Sequence, residues 1–226
     1  MSGWPEPVTL AGPHATLLPL AREHHGALVQ ATRDGELWKL WYTAVPSPEG
    51  MAAEIERRLA LAEAGSMRPF TVLDAAGNVV GMSSYMHIDA KNRRVEIGST
   101  WTARSAQRTP LNTQCKRLLL GHAFERLGCI AVEFRTHRLN TQSRRAIERL
   151  GAQLDGILRA HQFGPDGTLR DTAVYSITAA EWPTIRTHLR WQLERPRCSR
   201  QLPAPAHDLP GQALAGAAPI AAAAGT

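Results

Sequence analysis

Two polar segments carry the residue types that hold phosphate and amide groups: Arg104-Ser-Ala-Gln-Arg-Thr-Pro-Leu-Asn112 and Asn140-Thr-Gln-Ser-Arg-Arg145. Each follows a short apolar run and precedes a run with helical spacing, so each reads as the turn from a strand into a helix. A helix start offers unsatisfied N–H groups and the positive end of the helix dipole, which together favour anions. Arg104, Arg108, Lys116 and Arg117 follow one another with no acid among them. Arg135, Arg138, Arg144, Arg145 and Arg149 crowd the second segment, opposed by Glu148 alone. Two basic clusters at two helix starts suit a large phosphorylated cofactor better than a long duplex groove. A solvated charged face is the plainer alternative, and nucleic acid is not expected as a partner despite a net charge of +6 and a pI near 9.8.

The framework around these segments follows from length and periodicity. A chain of 226 residues, 43% hydrophobic, buries one good core. It has no apolar run long enough to span a membrane and no secretory signal pattern at its start, so it is expected to be soluble and cytoplasmic. Cys115, Cys129 and Cys198 lack Cys-x-x-Cys spacing, and His24-His25 has no ligand partner at a suitable distance, so reduced structural thiols and no metal are expected.

Strands are predicted over Ala15–Leu20, Pro69–Leu73, Val79–Ile88, Arg94–Trp101, Ile130–Arg135, Leu154–Gln162 and Leu169–Ile177. Helices are predicted over Arg22–Arg33, Met51–Ala64 with Ser47 as cap, Pro110–Leu127 between a Thr109 cap and Gly128, and Thr141–Leu150 closed by Gly151. A last helix opens on the capping box Thr178-Ala-Ala-Glu181 and runs to about Arg195. Beyond Pro196 the chain is rich in Pro, Ala and Gly and is expected to be disordered.

This order, with Val95-Glu-Ile-Gly-Ser-Thr-Trp101, Asn140-x-x-Ser143, Leu150-Gly151 and Leu169-Arg-Asp-Thr-Ala-Val-Tyr-Ser-Ile177, resembles the GNAT superfamily of acyl-CoA N-acyltransferases over about residues 15–195. Within it, the chain resembles the branch that includes ribosomal-protein N-terminal acetyltransferases. The resemblance implies an α+β fold: a mixed, mostly antiparallel, splayed sheet of about seven strands flanked by helices. Residues 1–14 would be an N-terminal extension, 15–195 the acetyltransferase domain and 196–226 a tail.

The implied cosubstrate is acetyl-CoA, and the implied cofactor-binding set is Trp101, Arg104, Gln107, Arg108, Thr109, Leu111, Asn112, Asn140, Ser143 and Arg144. Backbone amides after the strand Arg94–Trp101 would hold its pyrophosphate. The family's Arg/Gln-x-x-Gly-x-Gly/Ala pattern is met at Arg104, but Gln107 and Thr109 stand where glycines would let backbone approach a phosphate. Asn140 would reach the pantetheine amides, or simply cap its helix. Arg144 and Arg145 meet CoA phosphates or solvent. Many relatives have a tyrosine acid seven residues after the asparagine; Ile147 stands there, which leaves Ser143 or a water to protonate the thiolate.

An amine must lose a proton to attack a thioester, and Glu96 is the best-placed acid, since relatives often carry a carboxylate there. Val95 and Ile97 on one strand face put Glu96 on the other, where it is a base, an ammonium anchor or a solvent residue. A backbone amide near Gly98–Trp101 would polarise the thioester carbonyl. His87 either lines the cleft from its strand or, more commonly for a lone strand histidine, is a structural residue, and Asp171 with Arg170 reads as a substrate-orienting pair or a plain ion pair. The expected function is direct acetyl transfer from acetyl-CoA to a primary amine, on a small molecule or a polypeptide N-terminus. The rivals are a non-catalytic CoA-sensing module and a basic nucleic-acid-binding protein. The aromatic stretch Leu37–Tyr42 and the helix after it would shape the acceptor site, and a homodimer stays open.

Overall fold

A computed structural model describes residues 4–164 and 166–195; the expected disordered tail lies outside them. Among the described residues, eight strands form one sheet in the order β1-β2-β3-β4-β5-β6-β8-β7. They are β1 (Leu10–Gly12), β2 (Ala15–Pro19), β3 (Arg68–Leu73), β4 (Val79–Asp89), β5 (Arg94–Thr102), β6 (Ala131–His137), β7 (Gln153–Phe163) and β8 (Leu169–Thr178). All neighbours pair antiparallel except β5 and β6, which are parallel. The helices are α1 (His25–Arg33), α2 (Met51–Glu63), α3 (Leu111–Gly121), α4 (Thr141–Glu148) and α5 (Trp182–Glu194). The eighth strand, one more than expected, is β1. It lies inside the expected extension and folds back on β2 through Gly12 opposite Ala15.

Two consecutive residues of β4 show how the layers sit, because neighbours on a strand point to opposite faces. The Ser84 hydroxyl accepts a bond from Arg58 of α2, while the Tyr85 hydroxyl donates to the Leu119 carbonyl of α3 at 2.6 Å. Thus α2 covers one face and α3 the other. The α3 side buries Leu111, Cys115, Leu119 and Leu120 at helical spacing, against Phe70, Tyr85, Val132 and Phe134. Each such large apolar side chain contributes about 1.5–3 kcal/mol. Past Gly121 the helix widens into one π turn, His122–Arg126, and Gly128 ends it at φ +64°.

Three caps differ from expectation in detail. Pro110 is the N-cap of α3, and the Thr109 hydroxyl supports it by accepting from Leu111 N at 3.3 Å. Gly50 caps α2, and the Ser47 hydroxyl accepts from Gly50 N. The Glu181 carboxylate accepts from Thr178 N, but α5 itself begins one residue later, at Trp182.

Candidate active site

The parallel pair β5–β6 makes only three rungs, Arg94–Ala131, Val95–Val132 and Glu96–Glu133, and then parts. β6 continues to pair with β8 as far as His137, so its β5-facing edge opens. On β5 a bulge sets two residues, Ser99 and Thr100, against Ser83 alone, with Ser99 at φ +48°. A left-handed non-glycine residue is costly and must be held. Arg58 holds it: both terminal nitrogens of its guanidinium donate to the Ser99 carbonyl at 3.2 Å, while its Nε donates to Glu54 at 2.7 Å. The side chain is 1% exposed. The result is a V-shaped cleft with a strained, anchored β5 edge as one wall.

Glu96 stands at the last rung before the V opens, on the face opposite Val95 and Ile97, and is 5% exposed. Burial raises its pKa, partly offset by a hydrogen bond and charge from His87 and by charge from Arg135, with Glu133 raising it further. His87 Nδ1 lies 2.7 Å from Glu96 Oε2 and Arg135 Nε 3.5 Å from the same oxygen. The His87 side chain is 60% exposed, so the imidazole joins a buried carboxylate to water. His87 reaches Glu96 because it sits at φ +43° within a register shift between Met86 and Asp89. Of the two places its sequence allows, the ring takes the one beside the cleft, hydrogen-bonded to Glu96. A signal existed in the hairpin joining β4 to β5, which places positions 86–87 opposite 96, but the bulge that turns the ring inward leaves no trace in the period-2 pattern. Beside Glu96, an open depression of about 560 Å³ is lined by Arg94, Glu133, Arg135, Asp155, Leu158 and Ser176, among others.

The loop after β5 is built differently from a free phosphate-binding turn. Arg104–Ala106 forms a 3-10 turn tied to the end of α1: Arg104 N donates to the Asp34 carbonyl at 3.1 Å and Ser105 N to the Asp34 carboxylate at 2.9 Å. The two bonds from Ser105 hold the Asp34 pKa below its usual value. Ala106 N and Gln107 N are bound within the turn, so all four amides are engaged. Gln107 Nε2 donates to the Thr102 carbonyl, and the Thr109 hydroxyl donates to Ala106 O. Arg108 adopts φ +60° immediately before the helix. Trp101 and Leu111 put their side chains into the core, and the Leu111 amide is taken by the Thr109 hydroxyl. Asn112 is half-buried on the first turn of α3.

Across the V, Asn140 caps α4, its Oδ1 accepting from Ser143 N at 3.0 Å. Gln142 and Gln107 approach to 3.5 Å, bringing the first turn of α4 to the loop before α3. Arg144 turns away to β8, donating to the Tyr175 hydroxyl at 2.7 Å and to the Arg138 carbonyl. Ile147 is core. Tyr175 approaches the same helix, but its hydroxyl is taken up by Arg144 and Glu148. Asp171 pairs with Arg138 and Arg159, not with Arg170. Trp41, of the aromatic stretch, meets the His137 ring edge-on at 5.2 Å at the end of β6. The structure therefore brings Gln107 to the start of α4, places Glu96 at the vertex of the V, and directs Arg144 elsewhere.

A parallel pair that splays within an antiparallel sheet, with a helix start at the mouth and a buried carboxylate at the vertex, defines an acetyltransferase of the CoA-dependent class. The chain belongs to the GNAT acetyltransferase family, whose domain model matches residues 14–153. It is 32% identical over 106 residues to YdaF of Bacillus subtilis strain 168, assigned as a ribosomal N-acetyltransferase. That alignment takes in 47% of this chain and 57% of YdaF, so the chain matches little more than half of that relative's length. A GCN5-related N-acetyltransferase from Brucella melitensis superposes with a TM-score of 0.75 at 29% identity, covering 84% of this chain and 86% of that one. Mycobacterium smegmatis RimJ in complex with CoA-disulfide shares the fold, with a TM-score of 0.70 at 22% identity over 84% and 96% of the two chains. No helix among the described residues is long and apolar enough to cross a membrane.

Proposed function

We propose that the protein transfers an acetyl group from acetyl-CoA directly to the free α-amino group of a polypeptide. The observation that carries this reading is the buried Glu96 joined to exposed His87 at the vertex of the V. A carboxylate with a raised pKa, linked to solvent by an imidazole, takes a proton from an arriving ammonium and passes it out. The depression beside it carries Asp155, a carboxylate for a cationic amine, next to Glu133, which is already paired with Arg94 and Arg135. The polypeptide acceptor is supported by the ribosomal N-acetyltransferase assignment of YdaF.

The residues present fit a thioester bearing a pyrophosphate. The start of α3, with the Asn112 carboxamide on its first turn, suits the phosphates; the Thr109 hydroxyl is already spent on Ala106 O and Leu111 N. Because the amides of residues 104–107 are engaged, the anion site falls to the residues after them. The unpaired β5 edge past Glu96 suits the pantetheine arm and the acyl carbonyl, and Asn140 has one amide nitrogen beyond its capping oxygen to offer. When bound, acetyl-CoA supplies the activated acetyl group. Glu96 deprotonates the amine, Arg58 keeps the β5 bulge where its amides face the cleft, and Trp41 with His137 walls the acceptor side.

The test is acetyl transfer to peptides with free α-amino groups, read as an acetyl mass gain with release of free thiol. Transfer that disappears in Glu96→Gln supports the reading. Stabilisation by acetyl-CoA without transfer to any amine leaves a sensing module instead.

A further inference from the structure

Lys116 projects from α3 into the buried space under β5 and β6. Its side chain is 7% exposed, its Nζ donates to the Thr100 hydroxyl at 3.1 Å, and it lies 6.0 Å from the centroid of the Phe134 ring. Thr100 belongs to the bulge of β5 and Phe134 to β6, and both lie past the last rung that joins the two strands. The ammonium therefore bridges the two arms of the V from its α3 side. Thr100 is in turn tied to Ser83 at 2.7 Å, which fixes the hydroxyl that orients Nζ.

We propose that Lys116 is the general acid of the site, its Nζ meeting the sulfur of the departing thiol. The assignment rests on the acetyltransferase reading and fills the role that Ile147 leaves open and that Ser143 would otherwise take. Three observations support it. Nζ lies beneath the parted strands, between Thr100 of β5 and Phe134 of β6, rather than at the protein surface. No carboxylate among the described residues lies within ion-pair distance of it, so its charge is available to an incoming anion. Burial lowers its pKa to about 8, which suits exchange of a proton with a thiol. Cys115, beside it on α3, is the titratable neighbour, and its own thiol is pushed up to about 12; Thr100 and Phe134, which face Nζ from the strands, do not titrate in this range. A buried unpaired ammonium costs stability, so an apolar residue would pack better there. A serine hydroxyl offers a hydrogen bond but no charge, whereas the ammonium supplies both to a thiolate in a low-dielectric cleft.

The amine nitrogen forms the N–C bond and its proton goes to Glu96; the C–S bond breaks with its electron pair on sulfur, and Lys116 gives that sulfur a proton. Lys116, left neutral, takes a proton back from solvent as the products leave.

The experiment titrates the thiol of CoA bound to the wild type, Lys116→Met and Lys116→Arg, by thiolate ultraviolet absorbance, alongside kcat and KM for acetyl-CoA. The bound thiol of the wild type ionises about tenfold more readily than in Lys116→Met, and Lys116→Arg stays with the wild type. In Lys116→Met kcat falls about 10²-fold with KM for acetyl-CoA unchanged. A bound thiol that titrates alike in wild type and Lys116→Met, or an unchanged kcat, overturns the assignment while leaving the acetyltransferase reading intact. Failure of the wild type to bind CoA overturns both. If Lys116→Met and Lys116→Gln both fail to fold, Lys116 is structural and the assignment falls.

Discussion

His87 and Glu96, on adjacent strands, join a solvent-exposed imidazole to a buried carboxylate across 2.7 Å. In the proposed reaction the pair is the proton acceptor and its exit to water, and its two members have separable signatures. Glu96→Gln lowers kcat by about 10²- to 10³-fold with KM for acetyl-CoA unchanged. A steady-state comparison of the two purified proteins checks this.

His87 lowers the Glu96 pKa by hydrogen bond and charge, so its removal raises that pKa further. A base works only when deprotonated. The acid limb of the pH–rate profile, already raised by the burial of Glu96, therefore moves to higher pH in His87→Asn. A profile of kcat/KM from acid to neutral pH shows the displacement; a limb that stays in place would remove His87 from the relay.

Asn140 has a cap role that the structure shows and a pantetheine role that is proposed. Aspartate caps about as well as asparagine but has no N–H to donate. Asn140→Asp accordingly keeps the melting temperature while KM for acetyl-CoA rises about tenfold, the worth of one lost hydrogen bond. Asn140→Ala loses both, with about 1 kcal/mol of stability. Denaturation curves and KM values on the two variants separate the roles.

Arg58 is a buried cation that ties α2 to the β5 bulge. Arg58→Met removes the donors for the Ser99 carbonyl and one partner of Glu54, at a cost of about 3 kcal/mol. Because the bulge shapes the cleft wall, kcat falls as well. Chemical denaturation together with turnover measures both effects.

Lys116 makes stability depend on pH with a defined sign. Its folded pKa, about 8, lies below the ordinary lysine value of 10.5, so the unfolded chain holds the proton more tightly. Stability then rises as pH climbs from about 8 to about 10.5, where the unfolded chain alone is protonated. Relative to wild type, Lys116→Met is more stable by about 3 kcal/mol below pH 8, and the gap closes toward pH 10.5. Melting temperatures at a series of pH values report the gap.

The elements were legible where one local rule governs them. Apolar alternation placed β3, β4 and β5 to within a residue or two, and Pro110 with Gly128 bracketed α3 and its π turn. β1 was not legible, because three residues ending in glycine carry no pattern and their pairing comes from the hairpin alone. The position of Glu96 opposite Val95 and Ile97 follows from strand periodicity. Its partner His87 does not, since a bulge reverses the direction of that side chain. Asp34 consuming the amides of the loop before α3 was equally hidden, because the contact joins residues 71 apart in sequence. Lys116 read as one of a basic cluster, and only the tertiary fold turned it inward.

The most direct test of the central claim incubates the protein and Glu96→Gln with acetyl-CoA, peptides bearing a free α-amino group, the same peptides blocked at that group, and small amines. The account predicts that the wild type places one acetyl group on the free α-amino terminus, releases one CoA for each, spares the blocked peptides, and loses this activity in Glu96→Gln. Transfer confined to small amines, or CoA release that Glu96→Gln leaves undiminished, would contradict it.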